Sequence, residues 1–291
     1  MNKKIKGQYI LMTGATSGLG KEACCSLASQ GAQMIIMARS GKKGDDLLEY
    51  YKTKFPNGEG VIHIFEGDLS SFSSVSKLCR EVNAKFDTLD MIILNAGIMN
   101  FKFTESLDGI EETLQVNVLS NILIIASLWE LQKGSKEAKL ILTASALHRG
   151  IIHFEDIEFR RSFSSFRSYS QSKLAVILLT RYLAPRLSNH AIGVYAQHPG
   201  IVNTNLGDRA GVLSRFIFRM MGKSPEKGAE NLLFLCNSDN KDLQSGEYYA
   251  KKKVKKITKE SYDLSMAKKL ISISRDYLSP YLKNPDELFG E

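Results

Sequence analysis

A tyrosine and a lysine four residues apart, in Tyr169-Ser170-Gln171-Ser172-Lys173, open an apolar stretch that runs to Leu187. If the stretch is helical, the two side chains lie on one face, one turn apart. A phenol ordinarily has a pKa of ~10, and an ammonium within ~4–6 Å favours its phenolate. Such a pair can give and take a proton near neutral pH. Tyr-x-x-x-Lys is a common chance pattern, so its meaning rests on what the rest of the chain places beside it.

The elements that must position this pair begin near the N-terminus. Tyr9–Met12 is an apolar run of strand length, and Thr13-Gly14-Ala15-Thr16-Ser17-Gly18-Leu19-Gly20 ends it with three glycines. From Lys21 the spacing turns helical, with Ala23, Leu27 and Ala28 on one side. Strand, glycine turn and helix together bring bare N–H groups and a helix N-terminus against a pyrophosphate. Side chains at Gly14, Gly18 or Gly20 would hold the phosphates off; the alternative is an ordinary loop. The second strand, Gln33–Ala38, ends in Arg39-Ser40, 19 residues beyond Gly20. An acid there would take the ribose 2′-hydroxyl of NAD, whereas a guanidinium suits the 2′-phosphate of NADP(H).

Strands and helices go on alternating. The third strand, Val61–Phe65, leads to Asp68, which either accepts from the adenine amino group or caps the next helix. The fourth, Met91–Leu94, runs into Asn95-Ala96-Gly97, small enough for backbone to lie under a ribose and nicotinamide. A helix from about Gly109 to Leu131 carries Ile110, Leu114, Asn117 and Asn121 along one face. An inward asparagine needs hydrogen-bond partners, and simple structural satisfaction is the default for Asn117 alone. The fifth strand, Ala138–Thr143, ends in Ala144-Ser145, a position where turn serines are common. The sixth, Ile192–Gln197, ends in His198-Pro199-Gly200, a rigid turn for the nicotinamide end, with Thr204 in reach of the carboxamide or phosphates. His198 reads as structural.

This pattern predicts an α/β fold, a single-domain Rossmann-type doubly wound parallel sheet of about seven strands with helices on both faces. Residues 1–291 form one unit, with a substrate lid over about 204–224 and a C-terminal extension over about 251–291. Within the lid, Val212, Leu213, Phe216, Ile217 and Met220 recur at helical spacing. They are either core packing or a mobile cover over an apolar carbonyl compound.

Composition narrows the class. With 43% hydrophobic and 24% charged residues, the chain reads as soluble and globular. Six of its excess cations sit in Lys251–Lys259, a stretch without an anion, in a chain of net charge +8. The run reads first as a solvated turn and second as a contact for an anionic membrane surface. Nucleic acid comes third, because no basic, aromatic-rich face accompanies it. The start, Met1–Gly7, is basic without the apolar run of a signal peptide, and the apolar stretches fall short of the ~20 residues that span a bilayer. Cys24, Cys25, Cys79 and Cys236 have neither disulfide nor metal spacing, and the histidines show no metal motif. No metal and a reducing, cytoplasmic setting are expected.

Taken together these residues resemble the short-chain dehydrogenase/reductase family. Its glycine motif falls on Thr13, Gly14, Gly18 and Gly20, its Asn-Ala-Gly on Asn95–Gly97, and its Pro-Gly turn on Pro199-Gly200. Its catalytic Asn-Ser-Tyr-Lys set falls on Asn117, Ser145, Tyr169 and Lys173, and the match runs from about residue 7 to 260. Gly18–Glu22, Ser172–Ala175, Gln197–Gly200 and the 24-residue gap from Ser145 to Tyr169 are similar to the retinol dehydrogenase-like branch. Leu94 and Leu142 stand where asparagines are common in the family, Ala144 where serine is, and Ser40 where aspartate is. The N-terminal membrane anchor of many retinol dehydrogenases is not expected.

The resemblance implies an NADP(H)-dependent oxidoreductase that interconverts a carbonyl and an alcohol on an apolar substrate such as a retinoid or long-chain aldehyde. In that scheme Tyr169 passes the proton, and Lys173 lowers its pKa and bonds the nicotinamide ribose. Ser145 holds the substrate oxygen, while Asn117 positions a water that leads to solvent. Thr16, Ser17, Leu19, Leu69 and Val202 complete the expected cofactor contacts. Family members are often homodimers or homotetramers, and peripheral membrane contact fits an apolar substrate. Two alternatives remain, an NAD(H)-linked alcohol dehydrogenase and a non-catalytic nucleotide-binding regulator of the same fold.

Overall fold

The computed structural model describes residues 5–200 and 224–282. Val202, Thr204 and the apolar-spaced lid stretch lie outside the described residues. In chain order the first half holds β1 (Tyr9–Met12), α1 (Gly18–Ser29), β2 (Gln33–Ala38), α2 (Gly41–Lys54), β3 (Val61–Glu66), α3 (Phe72–Lys85) and β4 (Met91–Leu94). There follow α4 (Glu112–Lys133), β5 (Ala138–Thr143), α5 (Ser165–Leu187), β6 (Ile192–His198), α6 (Pro225–Asn237), β7 (Tyr248–Ala250), β8 (Lys253–Val254) and α7 (Leu264–Leu278).

The strands form one eight-stranded sheet in the order β3-β2-β1-β4-β5-β6-β7-β8, parallel except for the antiparallel β7–β8 pair. One strand more than the expected seven is present, because the lysine run that reads as a turn is a hairpin with a two-residue last strand. The six strands expected from the sequence all form. Continuous apolar runs such as Met91-Ile92-Ile93-Leu94 are buried on both sides, which requires helices on both faces. Residues of α1, α2 and α6 close one face with Ile10, Met34 and Ile93. Residues of α3, α4, α5 and α7 close the other with Leu11, Ile35 and Ile92. This is a single α/β domain whose chain reverses its winding between β1 and β4. Ligands of such sheets bind at that reversal, at the carboxyl ends of the strands.

Three helices start elsewhere than their apolar spacing suggests, and in the fourth and fifth a capping side chain sets the boundary. The first begins at Gly18 rather than Lys21, with Ser17 extended before it. The fourth begins at Glu112, and the Glu111 carboxylate takes the N–H groups of Thr113 and Leu114 at 3.0 and 2.8 Å. The fifth begins at Ser165, capped by Ser164, so Tyr169 sits in its second turn. By length and composition α4 could cross a membrane, contrary to the expectation that no stretch is long enough. Here Ile122–Ile125 and Leu128 are fully buried against the sheet, as in a core helix. Its Gln115–Leu119 segment is a wider π turn, and Asn117 lies in it.

Candidate active site

The glycine turn packs against the end of β4. Thr13 Oγ1 accepts from the N–H groups of Asn95 and Ala96, both at 3.1 Å. Asn95 Nδ2 returns bonds to the carbonyls of Thr13 and Gly14 at 3.3 Å. Gly14 has φ +68°, a region L side chains disfavour. A Cβ on Gly20 would lie 2.0 Å from the Gly14 carbonyl oxygen. These glycines are therefore required by the fold of the turn itself, beyond any phosphate they clear space for.

The resulting cradle fits a dinucleotide. Helix α1 starts with no capping side chain and no acid in its first turn, leaving its N–H groups open to an anion. Leu19 is buried, while Thr16 and Ser17 line the open side. At the end of β2, Arg39 is exposed and has no acidic partner among the described residues, and the adjoining α2 also lacks a side-chain cap. Asn95 Oδ1 is buried with no hydrogen-bond partner among the described residues. Asp68 Oδ1 accepts from Ser70 N at 2.9 Å, and α3 is capped by Ser71. Of the two readings of Asp68, the helix cap is thus excluded. Leu69 is buried beneath it and takes the Ser120 hydroxyl on its carbonyl at 2.6 Å.

The four chemistry-bearing residues converge from three elements. Tyr169 and Lys173 come from α5, Asn117 from α4 and Ser145 from the tip of β5. The Tyr169 phenol lies close enough to the Ser145 hydroxyl for the serine to favour its phenolate, and both residues are buried. Lys173 Nζ lies 5.6 Å from the centre of the Tyr169 ring and donates to the Thr143 carbonyl at 2.9 Å. A methyl added at Gly97 would come within 3.0 Å of Lys173 Nζ and 3.3 Å of Asn117 Oδ1. Asn95–Gly97 thus adjoins the same pocket. Pro199 and Gly200, half-buried, follow the end of β6, with Gly200 at φ +88°.

Asn117 is fully buried, and both its amide hydrogens and its oxygen meet protein partners. Oδ1 accepts from Ile98 N at 2.8 Å, and Nδ2 donates to Ile98 O and Ser172 Oγ, each at 2.9 Å. Ser172 in turn donates to the Tyr169 carbonyl at 2.8 Å. The structural default for Asn117 therefore holds, and through Ser172 it also ties α4 to the turn that carries Tyr169.

Burial dominates the electrostatics. It pushes the Lys173 ammonium down to about 8, because a charge removed from water is disfavoured. It raises Tyr169 above its ordinary value, with the nearby Ser145 hydroxyl acting in the opposite direction.

Sequence reading missed several neighbours. His148 is buried, its Nδ1 donates to the Ser145 carbonyl, and burial lowers its pKa. Its ring lies 4.9 Å from that of Tyr248, which in turn stacks with His198 at 6.5 Å. Tyr248 is close enough to Tyr169 for the ionisation of one phenol to oppose that of the other. Nothing local in the sequence marks Tyr248, which reaches the site only through the pairing of β7 with β6.

The sequence profile of the short chain dehydrogenase family matches residues 8–211. Among curated proteins, retinol dehydrogenase 14 of Mus musculus is 34% identical over 283 residues, 92% of this chain and 85% of the relative. Retinol dehydrogenase 12 of Homo sapiens is 30% identical over 280 residues, 95% and 88% of the two chains. A crystal structure of an uncharacterized protein from Mycobacterium paratuberculosis superposes with a TM-score of 0.76 at 26% identity, covering 95% of both chains. A short chain dehydrogenase from Shigella flexneri, solved with NADP, shares the fold with a TM-score of 0.67 at 21% identity, covering 85% of this chain and 98% of that one. The chain therefore belongs to the short-chain dehydrogenase family, on its retinol dehydrogenase-like branch, and is an oxidoreductase acting on CH–OH groups.

Proposed function

We propose that the protein interconverts a carbonyl compound and its alcohol with NADP(H), on an apolar substrate of the retinoid or long-chain aldehyde kind. The observation that carries this reading is the close approach of Ser145, Tyr169 and Lys173 at the carboxyl edge of the sheet. A bound nicotinamide supplies the hydride in reduction and receives it in oxidation. The N–H groups of Gly18, Leu19 and Gly20, with Thr16 and Ser17, would hold its pyrophosphate, and Arg39 the 2′-phosphate. Asp68 and Leu69 would meet the adenine, Asn95–Gly97 and Lys173 the ribose, and Pro199, Gly200, Val202 and Thr204 the carboxamide end.

In reduction Tyr169 gives its phenolic proton to the carbonyl oxygen while the Ser145 hydroxyl donates to the same oxygen and holds it in place. The Lys173 ammonium offsets the phenolate that remains. In oxidation the phenolate takes the alcohol proton and Ser145 keeps its place. Asn117 works by position, since both amide hydrogens are bound to protein; a water on the proton path would use its remaining oxygen lone pairs. The retinol dehydrogenase relatives support an apolar substrate, and four free, buried thiols support a reducing cytoplasmic setting.

NADPH consumption over a panel of retinal, long-chain aldehydes, steroids and quinones tests the reading. Tyr169→Phe should lower turnover about 10²–10⁴-fold; near-normal turnover removes the acid–base assignment. Arg39→Ala should weaken NADPH about tenfold and leave NADH unchanged. Tighter NADH than NADPH binding in the parent protein, untouched by that change, would favour the NAD(H)-linked reading. NADP(H) binding with no turnover on the whole panel would favour a regulator.

A further inference from the structure

The link between β7 and β8 is two residues long, since Ala250 pairs directly with Lys253. Its residues, Lys251 and Lys252, both have left-handed backbones, with φ +54° and +61°. Two-residue hairpin links of this kind call for Asn-Gly, because an L side chain in this region is strained. Nothing in the hairpin geometry requires lysine, and glycine or asparagine would relieve the strain. Side-chain bonds hold the strained turn to the sheet instead. Asn231 Oδ1 accepts from Lys252 N at 2.7 Å, while its Nδ2 donates to the carbonyls of Tyr249 at 3.0 Å and His198 at 3.3 Å.

The turn is therefore fastened to the end of β6, and because β7 runs parallel to β6 it stands on the carboxyl rim, beside the candidate active site. Lys251–Lys253, Lys255 and Lys256 are all exposed there. Lys252 Nζ lies 3.1 Å from Glu230 Oε2, and the other four have no acidic partner among the described residues. Exposed apolar residues share this rim. Val254 lies between the lysines, Phe101 and Leu107 are in the connection after β4, Ile151 is in the connection after β5, and Phe166 opens α5. Cations interleaved with apolar side chains match a surface of anionic headgroups over hydrocarbon. A nucleic-acid face would instead set stacking aromatics among the lysines, whereas within Lys251–Lys256 the one apolar residue is the aliphatic Val254.

We propose that the Lys251–Lys256 hairpin docks the carboxyl rim of the sheet onto an anionic lipid bilayer. Observed strain points to function, and here it serves to place two more ammonium groups at the tip. The test is co-sedimentation of the purified full chain with vesicles of phosphatidylcholine alone and of phosphatidylcholine with phosphatidylserine. Binding should need phosphatidylserine and fade with added salt. Each lysine is worth about fivefold in affinity. Lys253→Ala/Lys255→Ala/Lys256→Ala should therefore weaken binding about 100-fold.

Lys251→Asn/Lys252→Gly separates function from structure, since it should raise the melting temperature while weakening vesicle binding about 25-fold. A turn with only a structural role would show the stabilisation with binding unchanged, and that result overturns the proposal. Equal binding to both vesicle types overturns it as well, as does tighter lysine-dependent binding of duplex DNA. The readout is lipid, so it stands or falls independently of which alcohol is turned over.

Discussion

A buried lysine ammonium lies at each end of strand β5, and the two are equipped for opposite tasks. At the amino end, Lys139 Nζ donates to the carbonyls of Leu235 at 3.0 Å and Cys236 at 3.1 Å, and to that of Ser238. All three donors are met by the last turn of α6 and the residue after it, where the helix dipole also favours a cation. At the carboxyl end, Lys173 meets one protein acceptor among the described residues, Thr143 O, and has two donors to offer elsewhere. Burial pushes its pKa down to about 8. The count of partners separates them. A saturated buried charge fastens elements together, and an undersaturated one is held ready at some expense to the fold.

The comparison breaks or sharpens on three measurements. Lys173→Met should cut turnover about 10²–10⁴-fold while the fold gains about 1–3 kcal/mol in chemical denaturation, since an ammonium held below its ordinary pKa disfavours the native state. Lys139→Met should do the reverse. It orphans three carbonyls, lowers stability by about 2–4 kcal/mol, and leaves turnover of the folded fraction close to normal. A Lys139→Met protein as stable as its parent would erase the distinction. The smallest effect is in pH. The Lys173 charge is present below about 8 and lost as pH rises through that value, so carbonyl reduction should fall above it. The unfolded chain holds this proton to higher pH, so over the interval from about 8 to the ordinary lysine value this group makes stability rise with pH. Lys173→Arg should remove the activity limb near 8, because a guanidinium stays charged throughout.

What the sequence shows and hides follows the same division. Strand tips at Thr13, Arg39, Asp68, Asn95, Ser145 and Pro199 were legible, because each apolar run ends in residues that cannot continue it. The Tyr169–Lys173 pair was legible for the reason that helical spacing is local. Lys139 was not, since a lysine within an apolar strand reads as an edge position and its acceptors lie 96 to 99 residues further on. Ser172 was hidden likewise, as its partners are Asn117, 55 residues earlier, and a backbone carbonyl. Helix starts were misplaced wherever a cap such as Glu111 decided them. Strand β8, two residues long inside a lysine run, carries no apolar alternation to detect.

The wide turn at Gln115–Leu119 has a consequence for how this segment can vary. An extra residue in one turn slips the helical wheel by about 100°, so Thr113 and Leu114 before it and Ile122 and Leu128 after it obey different phases, yet all four are buried. Deleting any one residue of the five would restore a uniform wheel and swing one of the two stripes off the core. The length of this segment is therefore as constrained as the Asn117 amide that it presents to Ile98 and Ser172.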